Sequence, residues 1–274
     1  QIYQPFSLIL QDSIHPNVIA GSLSLILPIS VGWILFAWQD LTALEKILAI
    51  LSSLVMFLIL GLTQSRAAWI AIFIVFIFFP IFRWRWGWIL SIFGILATLL
   101  ATHAIGLTRV MTALVSGGSI RGIQSRLEIW ERAYFMIRDF PFTGIGMGSF
   151  TQVADAMYPF TFAAPGTIFH AHNLFLQIGV DLGLIGLIAW LTILVIHLIQ
   201  AWKSRTDGKV NQNLRTEAIG FAILGSMLVL IIHGLMDSVV WGMVRPAPLV
   251  WAIWGIGSSL YLQTQMKYSA TTTK

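Results

Sequence analysis

The chain has 274 residues, 57% hydrophobic and only 10% charged, with a mean hydropathy of +0.84. An ordinary soluble domain carries roughly 25% charged residues, so this chain cannot cover a water-facing surface with polar groups. That excludes a soluble enzyme, a disordered tail and a free nucleic-acid-binding domain. The net charge of +5 fits basic loops that orient membrane spans, and twelve Trp fit the bilayer interface. The chain has no cysteine, which removes disulfides, thiolate metal sites and cysteine nucleophiles. Gln1 stands where an initiator Met would be and no signal pattern follows, so the chain reads as the later portion of a longer protein.

Seven apolar segments have the ~20-residue scale of a span: Val18–Trp38, Leu44–Leu62, Ala67–Phe82, Trp86–Ala101, Leu174–Ala201, Ala218–Met236 and Ala247–Leu262. The predicted fold is an all-α, polytopic helical membrane protein with a large, partly helical periplasmic loop. Its expected parts are 1–102 (an N-terminal outer segment and four spans), 103–173 (the loop) and 174–274 (three spans and a cytoplasmic tail). Lys46, Arg83, Arg85, Lys203, Arg205, Lys209, Arg215, Lys267 and Lys274 fall in short loops or tail on one side, against Arg66 and Arg245 on the other. The excess assigns the first side to the cytoplasm and the long loop to the outer face.

Most residues suited to chemistry then lie on that outer face. Arg66 follows Ser65 in a short turn, either snorkelling to headgroups or binding an anion at the bundle mouth. Ser125-Arg126-Leu127-Glu128 repeats the Ser-Arg pair with the spacing of a capping box, and Leu127, Trp130, Tyr134 and Ile137 follow at helical spacing. This predicts Arg126 in a first helical turn, where free N–H groups favour an anion, with a Glu128–Arg132 pair and a stop before Pro141. Thr143 to Gly148 fits no nucleotide-binding loop and reads as a turn back to the membrane.

His170 and His172 precede the fifth span. No cysteine or nearby acidic cluster completes a metal set, so no metal is expected, and His172 suits a general base. Asn173, Gln177 and Asp181 continue as an i, i+4, i+8 polar line, and a carboxylate there faces a bundle interior or wet cavity. Gly179 and Gly183 read as close-packing glycines. His233 and Asp237 have the i,i+4 spacing of a buried hydrogen-bonded pair, or of support for a catalytic pocket.

These residues resemble the bacterial O-antigen ligase and polymerase superfamily. Its pattern of His-Asn, nine residues, then Gly-x-x-Gly is matched by His172-Asn173 and Gly183-Leu184-Ile185-Gly186. Ser65-Arg66-Ala67-Ala68-Trp69, Ser125-Arg126, Asp139 to Gly146, and His15-Pro16-Asn17 are similar to further family elements. The resemblance implies transfer of a glycan from an undecaprenyl-diphosphate carrier to a glycan, lipid or protein hydroxyl, as in lipopolysaccharide or other polysaccharide assembly. The setting would be the outer face of the bacterial cytoplasmic membrane, without cofactor, metal or nucleic acid. His172 would be catalytic, Arg66 and Arg126 would bind the diphosphate, and Asn173, Asp181, His233 and Asp237 would support the site. The alternatives are a small-anion transporter, such as one for bicarbonate, with Asp181 as coupling group, and a non-catalytic membrane subunit.

Overall fold

The computed structural model describes residues 16–106, 122–242 and 246–272. The expected His15 and Arg245 lie outside the described residues. Among the described residues the chain forms nine α-helices and no strand. They are α1 (Pro16–Ala37), α2 (Ala43–Thr63), α3 (Arg66–Arg83), α4 (Gly87–Ile105), α5 (Gly122–Asp139), α6 (Phe150–Met157), α7 (Leu174–Val210), α8 (Leu214–Gly234) and α9 (Ala247–Thr272). Six of them, α1 to α4, α7 and α8, are long and apolar enough to cross a membrane. This is a polytopic helical membrane protein. The seventh expected segment does fold as a helix, α9, but Gly255, Gly257, Ser258 and Ser259 dilute its apolar content.

Local signals set several helix ends. Thr42 and Glu45 form a reciprocal capping box at α2, and Gln64, in the left-handed region at φ +54°, turns the chain sharply into α3. Helix α8 is the hub and packs against α1, α3, α7 and α9. Small residues allow this. A Cβ added at Gly32 would lie 2.9 Å from Ala222 Cβ, and one at Gly225 2.7 Å from the Phe79 ring. Close backbone approach of this kind is the usual basis of helix association in lipid.

Helices α5 and α6 form a cap with its own small core, in which Ile129, Ala133, Met136, Phe150, Ala154 and Ile168 enclose Ala171 and Val180. Beneath it, α7 is broken. Gly183 has φ +71° and ψ −177°, which separates a short arm, 174–182, from a long one, 184–210. The Phe175 and Trp190 rings lie 6.0 Å apart, whereas a straight helix would hold their backbones ~22 Å apart. The broken ladder is repaired by the glycine-rich turn after α5. Ile145 and Gly146 N–H donate to the carbonyls of Val180 and Asp181 at 2.8 and 3.1 Å, and Leu184 N–H donates to the Pro141 carbonyl at 2.7 Å. Every helix end leaves such groups needing partners.

The break corrects one expectation. Gly179 does pack closely, with the Ile137 side chain 2.9 Å from the position of an added Cβ, but Gly183 is a bend. A Cβ there would lie 2.7 Å from the Phe142 carbonyl carbon, and one at Gly186 would collide with the Leu182 side chain. The Gly-x-x-Gly spacing is what a sharp bend over a docked turn requires. The turn from Thr143 to Gly148 does return the chain toward α7, docked by these bonds.

Candidate functional site

The head of α7 is set by Asn173, whose side chain accepts from the N–H groups of Phe175 and Leu176, each at 3.0 Å. This is an N-cap. Its amide also donates to the Leu235 carbonyl at 3.1 Å, joining the start of α7 to the end of α8. His172 precedes it with φ +47°, a left-handed backbone rare outside glycine. Bonds on both sides maintain that conformation. Ala171 N–H donates to Gln177 Oε1 at 2.6 Å, and His172 N–H to His170 Nδ1 at 3.2 Å. The two imidazole centroids are 4.1 Å apart.

Facing them is Asp237, 3% exposed, just past α8. Its Oδ1 accepts from Ser238 N–H at 2.8 Å and lies 3.6 Å from His172 Nδ1; its Oδ2 accepts from Asn17 Nδ2 at 3.0 Å. Ser238 Oγ in turn lies 3.0 Å from His170 Nδ1. Burial raises the Asp237 pKa, but His172, His170 and His233 outweigh it and hold the carboxyl well below the usual carboxylate range. Asp237 therefore remains an anion across the neutral range.

The expected His233–Asp237 side-chain pair is not what forms. Asp237 N–H donates to the His233 carbonyl at 3.0 Å, while His233 Nε2 is buried without a hydrogen-bond partner among the described residues. Helix α8 ends at Gly234, and just past it the Asp237 carboxylate turns toward His172.

Arg126 also departs from expectation. Helix α5 already includes Gly122, so Ser125 and Arg126 lie beyond its first turn. Glu128 does not form the expected capping box: it takes the Thr161 N–H at 2.6 Å and hydroxyl at 2.7 Å, and pairs with Arg132 at 3.7 Å. Arg126 Nη1 instead donates to the Met236 carbonyl at 2.8 Å, one residue from Asp237. Arg66 opens α3 and is exposed, at the end of the bundle that also holds Asn17 and Asp237.

The polar line along α7 is continuous. Gln177 Nε2 donates to Asp181 Oδ1 at 2.8 Å, and Trp241 Nε1 donates to Oδ2 at 2.8 Å. Through Gln177, Asp181 is linked to the backbone between the two histidines. Asn17, Ser238 and Trp241 were not selected as site residues from sequence, because each reaches the site across a long stretch of chain. Only Asn17 carried a signal, within His15-Pro16-Asn17. Asp237 lies 65 positions from His172, which is why the spacing of the histidines alone suggested no metal set. In the structure His170, His172 and Asp237 each offer a ligand atom, all within 4.8 Å of one another.

A multi-pass helical bundle with a helical cap, and a histidine held against a buried carboxylate at the cap's base, defines the class of protein. The family model for O-antigen ligase matches residues 51–191, just over half of the chain, and the chain belongs to that family. The match takes in Arg66, Arg126, His172, Asn173, Gly183 and Gly186; Asn17, His233 and Asp237 lie outside it. No curated protein matches the chain.

Proposed function

We propose that the protein is a membrane glycosyltransferase that moves a glycan from an undecaprenyl-diphosphate carrier to an acceptor hydroxyl at the periplasmic face. The observation that carries this reading is His172, its Nδ1 directed at the ionised Asp237 and its neighbour Asn173 capping α7. With Nδ1–H facing the carboxylate, Nε2 keeps its lone pair. Nε2 takes the acceptor proton as the hydroxyl oxygen bonds to the anomeric carbon and the carbon–oxygen bond to the diphosphate breaks, inverting the centre. The 3.6 Å separation tightens when the substrate fills the site, as such contacts commonly do.

Arg66 and Arg126 are assigned to the departing diphosphate, whose charge they would stabilise. Arg126 spends one donor on the Met236 carbonyl, and a guanidinium has five. Asn173 and Asp237 position His172 directly. Asp181 acts through Gln177, and His233 packs beneath the carboxylate. The reading needs no metal, because arginines supply the positive charge. The acceptor is a glycan, lipid or protein hydroxyl, and the protein sits in the cytoplasmic membrane with this site outward.

Purified variants assayed with a lipid-linked glycan test the assignment. General-base catalysis contributes ~10²–10⁴-fold, so His172→Ala should lose transfer to that extent while carrier binding persists. Full transfer by a well-expressed His172→Ala protein would refute it and favour an anion transporter. Orientation is tested with single cysteines at Thr167 and Val210, both exposed in a chain without native cysteine. An impermeant thiol reagent should label only the former on intact cells.

A further inference from the structure

We propose that His170, His172 and Asp237 also form a binding site for a divalent first-row cation of the zinc class, and that its occupation stops transfer. The inhibitory half of this proposal rests on the assignment of His172 as the proton acceptor; the binding half does not.

Two imidazoles and one carboxylate are the ligand set that zinc takes when one position stays open to water or substrate. The three donor atoms lie within 4.8 Å of one another. Bonds of ~2.0–2.2 Å in tetrahedral geometry hold donors roughly 3.4 Å apart, so the widest separation must contract by up to ~1.4 Å. The two histidines are only partly buried, which leaves their rings room to turn and gives an ion a way in. The frame around them is already fixed. Asn17 and Ser238 N–H hold the carboxylate, Ser238 Oγ braces the His170 ring, and the Gln177 bond to Ala171 N–H holds the backbone between the histidines. Outer contacts of this kind orient metal ligands.

Inhibition follows from the chemistry of one ring. A cation on Nε2 of His172 occupies the lone pair that would receive the acceptor proton. A cation on Nδ1 forces the proton of the neutral ring onto Nε2, and the lone pair is lost again. In either case the hydroxyl has no base. His170 is then a metal ligand that does not itself take the acceptor proton, which separates metal binding from proton transfer.

The test uses the purified full chain in detergent, with Zn²⁺ as added metal and Co²⁺ as its spectroscopic substitute. The wild type should bind one ion per chain, show the absorption of low-coordinate cobalt, and lose transfer as Zn²⁺ is added, with recovery on chelation. Outer-shell partners alone are worth ~10–100-fold in affinity, so losing the His170 ligand should raise the half-inhibiting concentration at least ~10-fold. His170→Gln should do this, with each half-inhibiting concentration read against that protein's own metal-free rate. Equal zinc sensitivity in the wild type and His170→Gln would overturn the proposal, as would a wild type that binds no ion. If the wild type transfers no glycan under any condition, the proposed function fails, yet weaker cobalt binding by His170→Gln still establishes the site.

Discussion

Two carboxylates, Asp237 and Asp181, are each 3% exposed near the head of α7, and they differ in their company. Asp237 is surrounded by His170, His172 and His233. Among the described residues Asp181 meets only neutral donors, an amide and an indole. Burial alone would rank them equally, so the neighbours decide the role. Under the proposed function, imidazoles that can carry charge turn one carboxylate toward proton transfer. Neutral donors turn the other into a brace, tying the broken helix to the backbone between the histidines and, through Trp241, to the segment after α8.

The largest expected effect is at Asp237. Asp237→Asn keeps the shape but removes the charge facing His172. Loss of a comparable carboxylate beside a catalytic histidine costs up to ~10⁴-fold, so turnover should fall by roughly 10²–10⁴-fold with carrier binding little changed. Single-turnover transfer together with binding of the lipid-linked donor measures both. Gly183→Ala comes next. A side chain at φ +71° and ψ −177°, a region essentially confined to glycine, costs ~1–3 kcal/mol before its collision with the turn at Phe142 is counted. The thermal midpoint in detergent should drop clearly, and transfer should fall with the folded fraction.

Asp181→Asn should be milder. Asparagine offers one oxygen where two donors arrive, leaving one buried donor unmatched at about 1–3 kcal/mol. The comparison between the two acids breaks if a fully folded Asp181→Asn protein loses transfer as completely as Asp237→Asn does.

The smallest effect concerns the cap. The Tyr158 hydroxyl donates to Asp139 Oδ2 at 2.8 Å, and with Arg138 it holds the Asp139 carboxyl below the usual range against a smaller opposing effect of burial. A lowered folded pKa stabilises above the ordinary carboxylate value of ~3.9, and the contribution is lost as pH falls through the folded value. Amide protection across 122–173, corrected for the intrinsic pH dependence of exchange, should therefore fall on acidification, and Tyr158→Phe should reduce that dependence. An unchanged acid response in Tyr158→Phe would assign it to other groups, Glu128 first, since Thr161 and Arg132 lower its pKa against burial.

Much of this architecture was legible in the sequence because apolar runs leave a periodic trace. All seven expected segments fold as helices, with cores close to the expected ones and some ends, such as that of α7, extended by up to ten residues. The polar line Asn173, Gln177 and Asp181 was visible for the same reason: short spacing on one helix. Contacts that reach across the chain were not. Ser125 and Glu128 had a local capping pattern, yet Glu128 found Thr161, 33 residues on. Gly183 looked like a packing glycine, since nothing local records that a turn from 140 to 146 would dock on it. The partnership of His172 with Asp237 left no spacing to read.

The bond between Asn17 and Asp237 spans 220 positions. Synthesis at ~5–20 residues per second separates the two side chains by roughly 10–45 seconds during biogenesis. Over that interval α1 resides in the bilayer without its eventual neighbour α8, and the site has no buried anion. The transferase reading then carries a timing rule: the centre is completed only after α8 has been inserted, and a nascent chain or one truncated before Asp237 in the same membrane is inert toward the carrier pool.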